Sequence, residues 1–177
     1  QTAYCTVDGP SNPIITGVPG GTFVSAPAGL TINGVGQINP STSATGTYDI
    51  TYTTPGACFD DSTITVNIAA TPTVNPVPNE TICDGANFTD IIFTGSAGTV
   101  FDWANDNTNI GIGASGTGDI TCMTGTAPTV QEVGNITVTP TAGSCVGTPI
   151  VFTLTVDPIE DPGFNYAQTS WCTSEAP

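Results

Sequence analysis

Apolar residues recur at every second position along much of this chain. Tyr48, Ile50 and Tyr52 alternate with Asp49, Thr51 and Thr53, and Ile64, Val66 and Ile68 alternate with Thr65 and Asn67. Ile136 and Val138 repeat the pattern, as do Ile150, Phe152, Leu154 and Val156. Successive side chains of a strand point to opposite faces, so this period puts one face in a core and the other in solvent. Turn signals such as Pro19-Gly20-Gly21, Asn33-Gly34 and Ala142-Gly143 separate the runs at the spacing of a sandwich. No stretch has the spacing of an amphipathic helix. The chain reads as all-β.

Its two ends echo each other. Gln1-Thr2-Ala3-Tyr4-Cys5-Thr6 matches Gln168-Thr169-Ser170-Trp171-Cys172-Thr173, and Pro10 matches Pro177, at one constant offset of about 167 residues. A repeat of that length suits two small sandwiches rather than one solenoid turn. Alternating prolines over Ala69-Ala70-Thr71-Pro72-Thr73-Val74-Asn75-Pro76-Val77-Pro78 mark a stiff division within the unit. A second division falls at Val156-Asp157-Pro158-Ile159-Glu160-Asp161-Pro162. The expected organisation is a first sandwich over 1–70, a second over 71–157, and over 158–177 a linker and the opening strand of a third domain.

The charge balance removes whole classes of function. There is no Lys, Arg or His against 15 Asp and Glu, a formal charge of −15. Nucleic-acid binding needs cations that neutralise phosphates, and an anionic membrane surface repels such a chain. Without imidazole or amine there is no His general base, no Schiff-base Lys and no ordinary hydrolytic triad. Acidity alone would suggest disorder, but 38% of residues are hydrophobic and only 8% charged, enough apolar surface for folded cores. No run reaches the roughly 18 apolar residues of a membrane span, and no signal peptide is visible. Because Gln1 is not an initiator residue, the chain is expected to be a fragment or a processed product.

Six cysteines without a CxxC pair or any His argue against zinc. Dispersed through a β-rich acidic chain, they fit disulfides made in an oxidising compartment, with buried free thiols as the plainer reading.

With these patterns in place the chain resembles repeats of very large Bacteroidota surface proteins. Tyr4-Cys5, Pro13-Ile14-Ile15-Thr16-Gly17, Gly20-Gly21-Thr22-Phe23, Pro27-Ala28-Gly29-Leu30-Thr31-Ile32-Asn33 and Gly46-Thr47-Tyr48-Asp49-Ile50-Thr51-Tyr52 look like their immunoglobulin-like repeats. Ile82-Cys83-Asp84-Gly85, Phe101-Asp102-Trp103, Ile110-Gly111-Ile112, Ala114-Ser115-Gly116-Thr117-Gly118-Asp119-Ile120 and Val138-Thr139-Pro140-Thr141 resemble their PKD-like repeats. The resemblance implies an extracellular, cell-surface, non-enzymatic adhesin stalk or filament of the gliding-motility or type IX-secreted kind. It implies neighbouring repeats of the same protein as end-to-end partners and carries no catalytic residue across. The competing reading is a carbohydrate-binding module, with an exposed aromatic platform drawn from Tyr4, Trp103 and Trp171 and surface glycans as partners.

If each sandwich closes its own bridge, Cys5 pairs with Cys58 and Cys83 with Cys145. Cys172, the repeat of Cys5, then finds its partner outside this unit. Cys122 is left unpaired, either as a small buried hydrophobe or as a contact with a neighbouring chain. Trp103 lies between Cys83 and Cys145 in sequence, as in immunoglobulin-like domains whose core tryptophan packs on the inter-sheet disulfide. Calcium at a domain junction would need clustered hard oxygens. Asp157, Glu160 and Asp161 form the best candidate group, ahead of Asp60-Asp61 and Asp102 with Asp106, although no EF-hand spacing is present and no cofactor is required. Solvated acids are the plainer reading. Two carboxylates could also suggest glycoside hydrolysis, but no pocket signature accompanies them. Lys–Asn isopeptide bonds are impossible without Lys. Asp61-Ser62-Thr63 fits a short O-glycosylation pattern on Ser62, and Asn79, Asn87 and Asn135 open N-x-Thr sequons. Assembly by covalent continuation is favoured over subunits exchanging an opening strand.

Overall fold

The computed structural model describes residues 2–127, 129–160 and 162–164. Among the described residues the regular elements are ten β-strands and two three-residue 3₁₀ turns, with no α-helix. β1 (Thr2–Cys5), β2 (Thr22–Ala26), β3 (Gly46–Thr53) and β4 (Asp61–Ala69) form one sheet in the order β1-β4-β3-β2. β5 (Glu80–Cys83), β6 (Val100–Asn105), β7 (Ser115–Thr117), β8 (Glu132–Ala142) and β10 (Ile150–Asp157) form the second, in the order β5-β10-β8-β6-β7, with β9 (Cys145–Val146) pairing β8. These are two immunoglobulin-like β-sandwich domains in tandem. The expected opening strand of a third falls on residues 165–177, outside the described residues.

Both sheets are closed in the same way. The first strand of each lies parallel to the last: Thr2–Cys5 beside Val66–Ala69, and Glu80–Cys83 beside Leu154–Asp157. The last strand is the return arm of an antiparallel hairpin, β3–β4 in one unit and β8–β10 in the other. Opposite each sheet the chain forms a looser layer joined by isolated bridges, Ser11 and Ile32 with Ile38 in the first unit, Asn87 with Thr124 and Ile91 with Ile120 in the second.

Alternation decides which side chains fill the space between layers. The first core contains Leu30, Ile38, Tyr48, Ile50, Val66 and Ile68. The second is larger and includes Phe93, Trp103, Ile136, Phe152, Leu154 and Val156. The outer faces carry threonines in cross-strand pairs, such as Thr51 with Thr63 at 2.9 Å and Thr65 donating to Asp49 at 2.7 Å. Tyr48 supplies a tyrosine corner, a hallmark of immunoglobulin-like sandwiches: it is buried near the start of β3 and its hydroxyl donates to the Ala44 carbonyl at 2.9 Å. Gly29 faces this ring closely, and a Cβ there would meet the Tyr48 hydroxyl at 2.7 Å.

One expected core residue is not in the core. Ile64 is 55% exposed, although Val66 and Ile68 on the same face of β4 are buried. The reason is that β1 covers β4 only from Val66 onward. The preceding half of β4 is an uncovered edge beside an open apolar cavity of about 350 Å³, lined by Ile15, Phe23, Ile50, Tyr52 and Ile64 among others.

Candidate functional site at the junction of the two sandwiches

The chemistry that stands out is covalent and lies between the units. Cys5 and Cys145 form a disulfide with 5.6 Å between Cα atoms, across 140 residues of sequence. Both are buried. Cys5 ends β1, where its N–H donates to Asp8 Oδ2 at 2.7 Å and its carbonyl accepts the Asp8 N–H at 2.8 Å. Cys145 sits in the hairpin between β8 and β10. Around the bond, the Thr71 N–H donates to Thr6 Oγ1 at 3.0 Å, the two hydroxyls lie 3.1 Å apart, and the Thr6 N–H donates to the Ala69 carbonyl at 3.0 Å. Gly147 permits the close approach of the linker, since a Cβ there would lie 1.9 Å from the Pro72 carbonyl oxygen. The proline-rich division is thus a packed seam.

This pairing corrects the expectation of one bridge inside each sandwich. Cys5 lies opposite Ala69 at one end of β4, whereas Cys58 lies in the turn that precedes its other end. β4 has nine residues, so its ends are about 26 Å apart at about 3.3 Å per residue. A disulfide needs Cα atoms within about 7 Å. The same geometry separates Cys83, opposite Asp157 at the end of β10, from Cys145 before its start. A first strand that lies parallel to the last always ends at the opposite pole from the last hairpin. Cys58, Cys83 and Cys122 are exposed free thiols. Cys122 is therefore not a small buried hydrophobe: it has φ 56° and its N–H donates to Asp90 Oδ1 at 2.9 Å. Cys172 lies outside the described residues.

Trp103 is only 8% exposed, in a sandwich with no disulfide between its own strands. Its ring lies over Gly116, where a Cβ would meet Cζ2 at 2.4 Å, and Nε1–H donates to the Gly118 carbonyl at 3.1 Å. An aromatic platform for sugars loses its central member by this burial. Tyr4 is half-buried with its hydroxyl 3.1 Å from Ser11 Oγ, and Trp171 lies outside the described residues.

The acids are dispersed and engaged locally. Asp157 Oδ1 accepts Gln131 Nε2 at 2.6 Å, Glu160 is exposed, and Asp161 is outside the described residues. Among the described residues no three potential ligands gather around one point. Asp60 accepts the Asp61 N–H, and Asp102 accepts the Thr117 hydroxyl at 2.7 Å. Asp106 accepts Asn135 Nδ2 at 2.8 Å and the Asn135 N–H at 2.7 Å. These bonds, the side-chain amide first, hold its carboxyl below the usual carboxylate range. That is the opposite direction from an acid catalyst, which needs its proton held at neutral pH. Ser62 is exposed at the start of β4. The three sequon asparagines are structural: Asn79 caps the β10 edge by accepting the Thr153 N–H at 2.8 Å, Asn87 accepts the Thr124 hydroxyl at 2.7 Å, and Asn135 holds Asp106.

No protein-family model and no curated protein sequence matches the chain. Among solved structures it is similar to Sidekick-1 immunoglobulin domains 1–4, at 14% identity and TM-score 0.49, covering 90% of this chain and 46% of that one. Mouse Cadherin-23 EC22-24 gives 12% identity and TM-score 0.36, over 89% of this chain and 62% of that one. The N-terminal four immunoglobulin domains of Dscam1 isoform 1.9 give 11% identity and TM-score 0.40, over 89% and 43%. The strand order, the two cores and the tyrosine corner define the immunoglobulin-like fold.

Proposed function

We propose that this chain is a structural and adhesive repeat unit of a long extracellular surface protein, with no enzymatic role. The observation that carries the reading is the Cys5–Cys145 bond, which ties two small sandwiches across their junction rather than within either core. A hinge locked in this way keeps a tandem array extended and resists separation of its units under load. Persistent disulfides belong to oxidising compartments, which supports a place outside the cytoplasm. The 167-residue echo supports serial copies, so that neighbouring repeats are the first partners and weak side contacts add through multivalency. The resemblance to Bacteroidota repeats narrows the reading to a surface adhesin or gliding filament exported by the type IX route.

The test is the mass of the secreted polypeptide under reducing, denaturing conditions. A mass many times 17.8 kDa is expected. A species near that mass would overturn the long-chain reading.

A further inference from the structure

The two sandwiches place their cysteines at equivalent points. Cys5 pairs with the last residue of β4, and Cys83 with the last residue of β10. In each case the following N–H returns to that last residue, Thr6 to Ala69 and Asp84 to Asp157, and the cysteine carbonyl accepts an N–H three residues on, from Asp8 and Ala86. The hairpin cysteines match as well. Gly56-Ala57-Cys58 joins β3 to β4 and Gly143-Ser144-Cys145 joins β8 to β10, with the glycine left-handed in both, φ 104° and 60°. Cys83 therefore stands in the second sandwich where Cys5 stands in the first, and Cys58 stands in the first where Cys145 stands in the second.

In the observed bond, the first-strand cysteine of one sandwich joins the hairpin cysteine of the next. We infer that the same bond recurs at the following junction, joining Cys83 of one unit to Cys58 of the next copy of this chain. The sequence spacing allows it. Cys83 lies fourteen positions after Ala69, and Cys172 fifteen positions after Asp157. The next sandwich is thus tethered at almost the same reach as the second is here. The two thiols are exposed at opposite poles of the two-domain unit, so neither can serve the other within one copy. Repeated along one chain, a head-to-tail contact of this kind propagates from unit to unit. Among the described cysteines, only Cys122 lacks a counterpart in the scheme.

Formation of the bond removes two electrons and two protons from the two thiols. The oxidant is a disulfide, of a dithiol oxidoreductase or of a low-molecular-weight thiol. Its sulfur is attacked by one cysteine thiolate to give a mixed disulfide, and the second cysteine displaces the carrier, which leaves as two thiols.

The inference rests on the serial-repeat reading, and its test can fail separately. A chain of two consecutive units, residues 1–167 followed by 1–177, is oxidised at high dilution in two versions. One carries Cys58→Ser in the first unit and Cys83→Ser in the second, leaving the pair that faces the middle junction. The other carries Cys83→Ser in the first and Cys58→Ser in the second, leaving the outer pair. Non-reducing digestion with an Asp-specific protease, since trypsin has no site in the repeat, is followed by mass spectrometry of linked peptides. The Cys5–Cys145 peptide in the same digest reports correct folding. A Cys83–Cys58 linked peptide in the first version, and free thiols at both positions in the second, is expected. Free thiols in both versions alongside Cys5–Cys145 overturn the inference, as does a Cys5–Cys58 or Cys83–Cys145 peptide. A long native chain with these two thiols free would remove the bond and leave the stalk. A single-unit polypeptide that still forms the bond would remove the long chain and leave the linkage.

Discussion

Removing the Cys5–Cys145 bond with the paired substitution Cys5→Ser and Cys145→Ser should destabilise both sandwiches by comparable amounts. Cys145 is fully buried against the larger unit, and the linker is fixed on that unit at Pro72, beside Gly147. When the first sandwich unfolds alone, its chain stays a closed loop from Cys5 to about Pro72. For a loop of about 65 residues, restriction of the unfolded chain is worth about 4 kcal/mol in the chain-entropy account. At about 4–8 °C per kcal/mol for a domain of this size, that is a fall in Tm of about 20 °C. When the second sandwich unfolds alone, its chain is likewise a closed loop, from Ala69 beside Cys5 on the folded first sandwich to Cys145, about 75 residues long and worth about as much. Differential scanning calorimetry of the oxidised chain and the double variant should show both transitions moving down. An unmoved first transition, with the bond verified in the parent by mass, would refute the reasoning. So would a fall confined to one transition, since the same bond closes a loop of similar length through each sandwich.

Four further outcomes follow from particular contacts. Trp103→Ala should cost about 3–5 kcal/mol by emptying the second core, read by chemical denaturation; a loss under 1 kcal/mol would mean the ring is not packed as described. Tyr48→Phe should cost about 1–2 kcal/mol, because the Ala44 carbonyl loses its partner, with the loss confined to the first transition. Gly147→Ala should push the Pro72 carbonyl away at a cost of about 1–3 kcal/mol and make Cys5–Cys145 more easily reduced, followed by thiol release in graded reductant. Because Asp106 has its folded-state pKa lowered, its contribution is present above the unfolded-state pKa and is lost as pH falls through the folded value. Carboxyl titration by NMR should give Asp106 a midpoint below the ordinary range that rises in Asn135→Ala, and a midpoint unchanged by that substitution would remove the cause assigned here.

The sheets were legible in the sequence because alternation is a local signal: Ile50, Val66, Phe152 and Leu154 are buried as their period requires. Ile64 has the same period and is exposed, because burial also needs a neighbouring strand, and that depends on how far β1 extends. The junction was not legible. Cysteine spacing suggests one bridge per sandwich, and only the direction of β1 beside β4 shows that the two ends of each candidate bridge lie at opposite poles. One signal in the sequence pointed the right way: the shared Gly-small-Cys of Gly56-Ala57-Cys58 and Gly143-Ser144-Cys145 marks equivalent hairpins. Equivalent hairpin cysteines call for equivalent partners, and first-strand cysteines at Cys5 and Cys83 supply them only when read from one sandwich to the next.

The charge balance explains why such a junction would be covalent. With no Lys, Arg or His among 177 residues, no side-chain ion pair can join one sandwich to its neighbour. Fifteen acids make every approach between copies repulsive over the Debye length, about 10 Å at 0.1 M salt. That repulsion favours solubility and an extended array, but it works against any seam held by weak contacts. The observed seam is joined by groups that carry no charge, a disulfide, paired threonine hydroxyls and a glycine that lets the linker backbone close in, while the Asp8 carboxylate stays within the first sandwich on the Cys5 N–H. Salt should therefore matter little to the Cys5–Cys145 junction once formed. It should matter more to the encounter of separate units, whose coupling through Cys83 and Cys58 should quicken as added salt screens the acids. A coupling rate independent of salt from 0.01 to 1 M would show that repulsion between units is not what the bond overcomes.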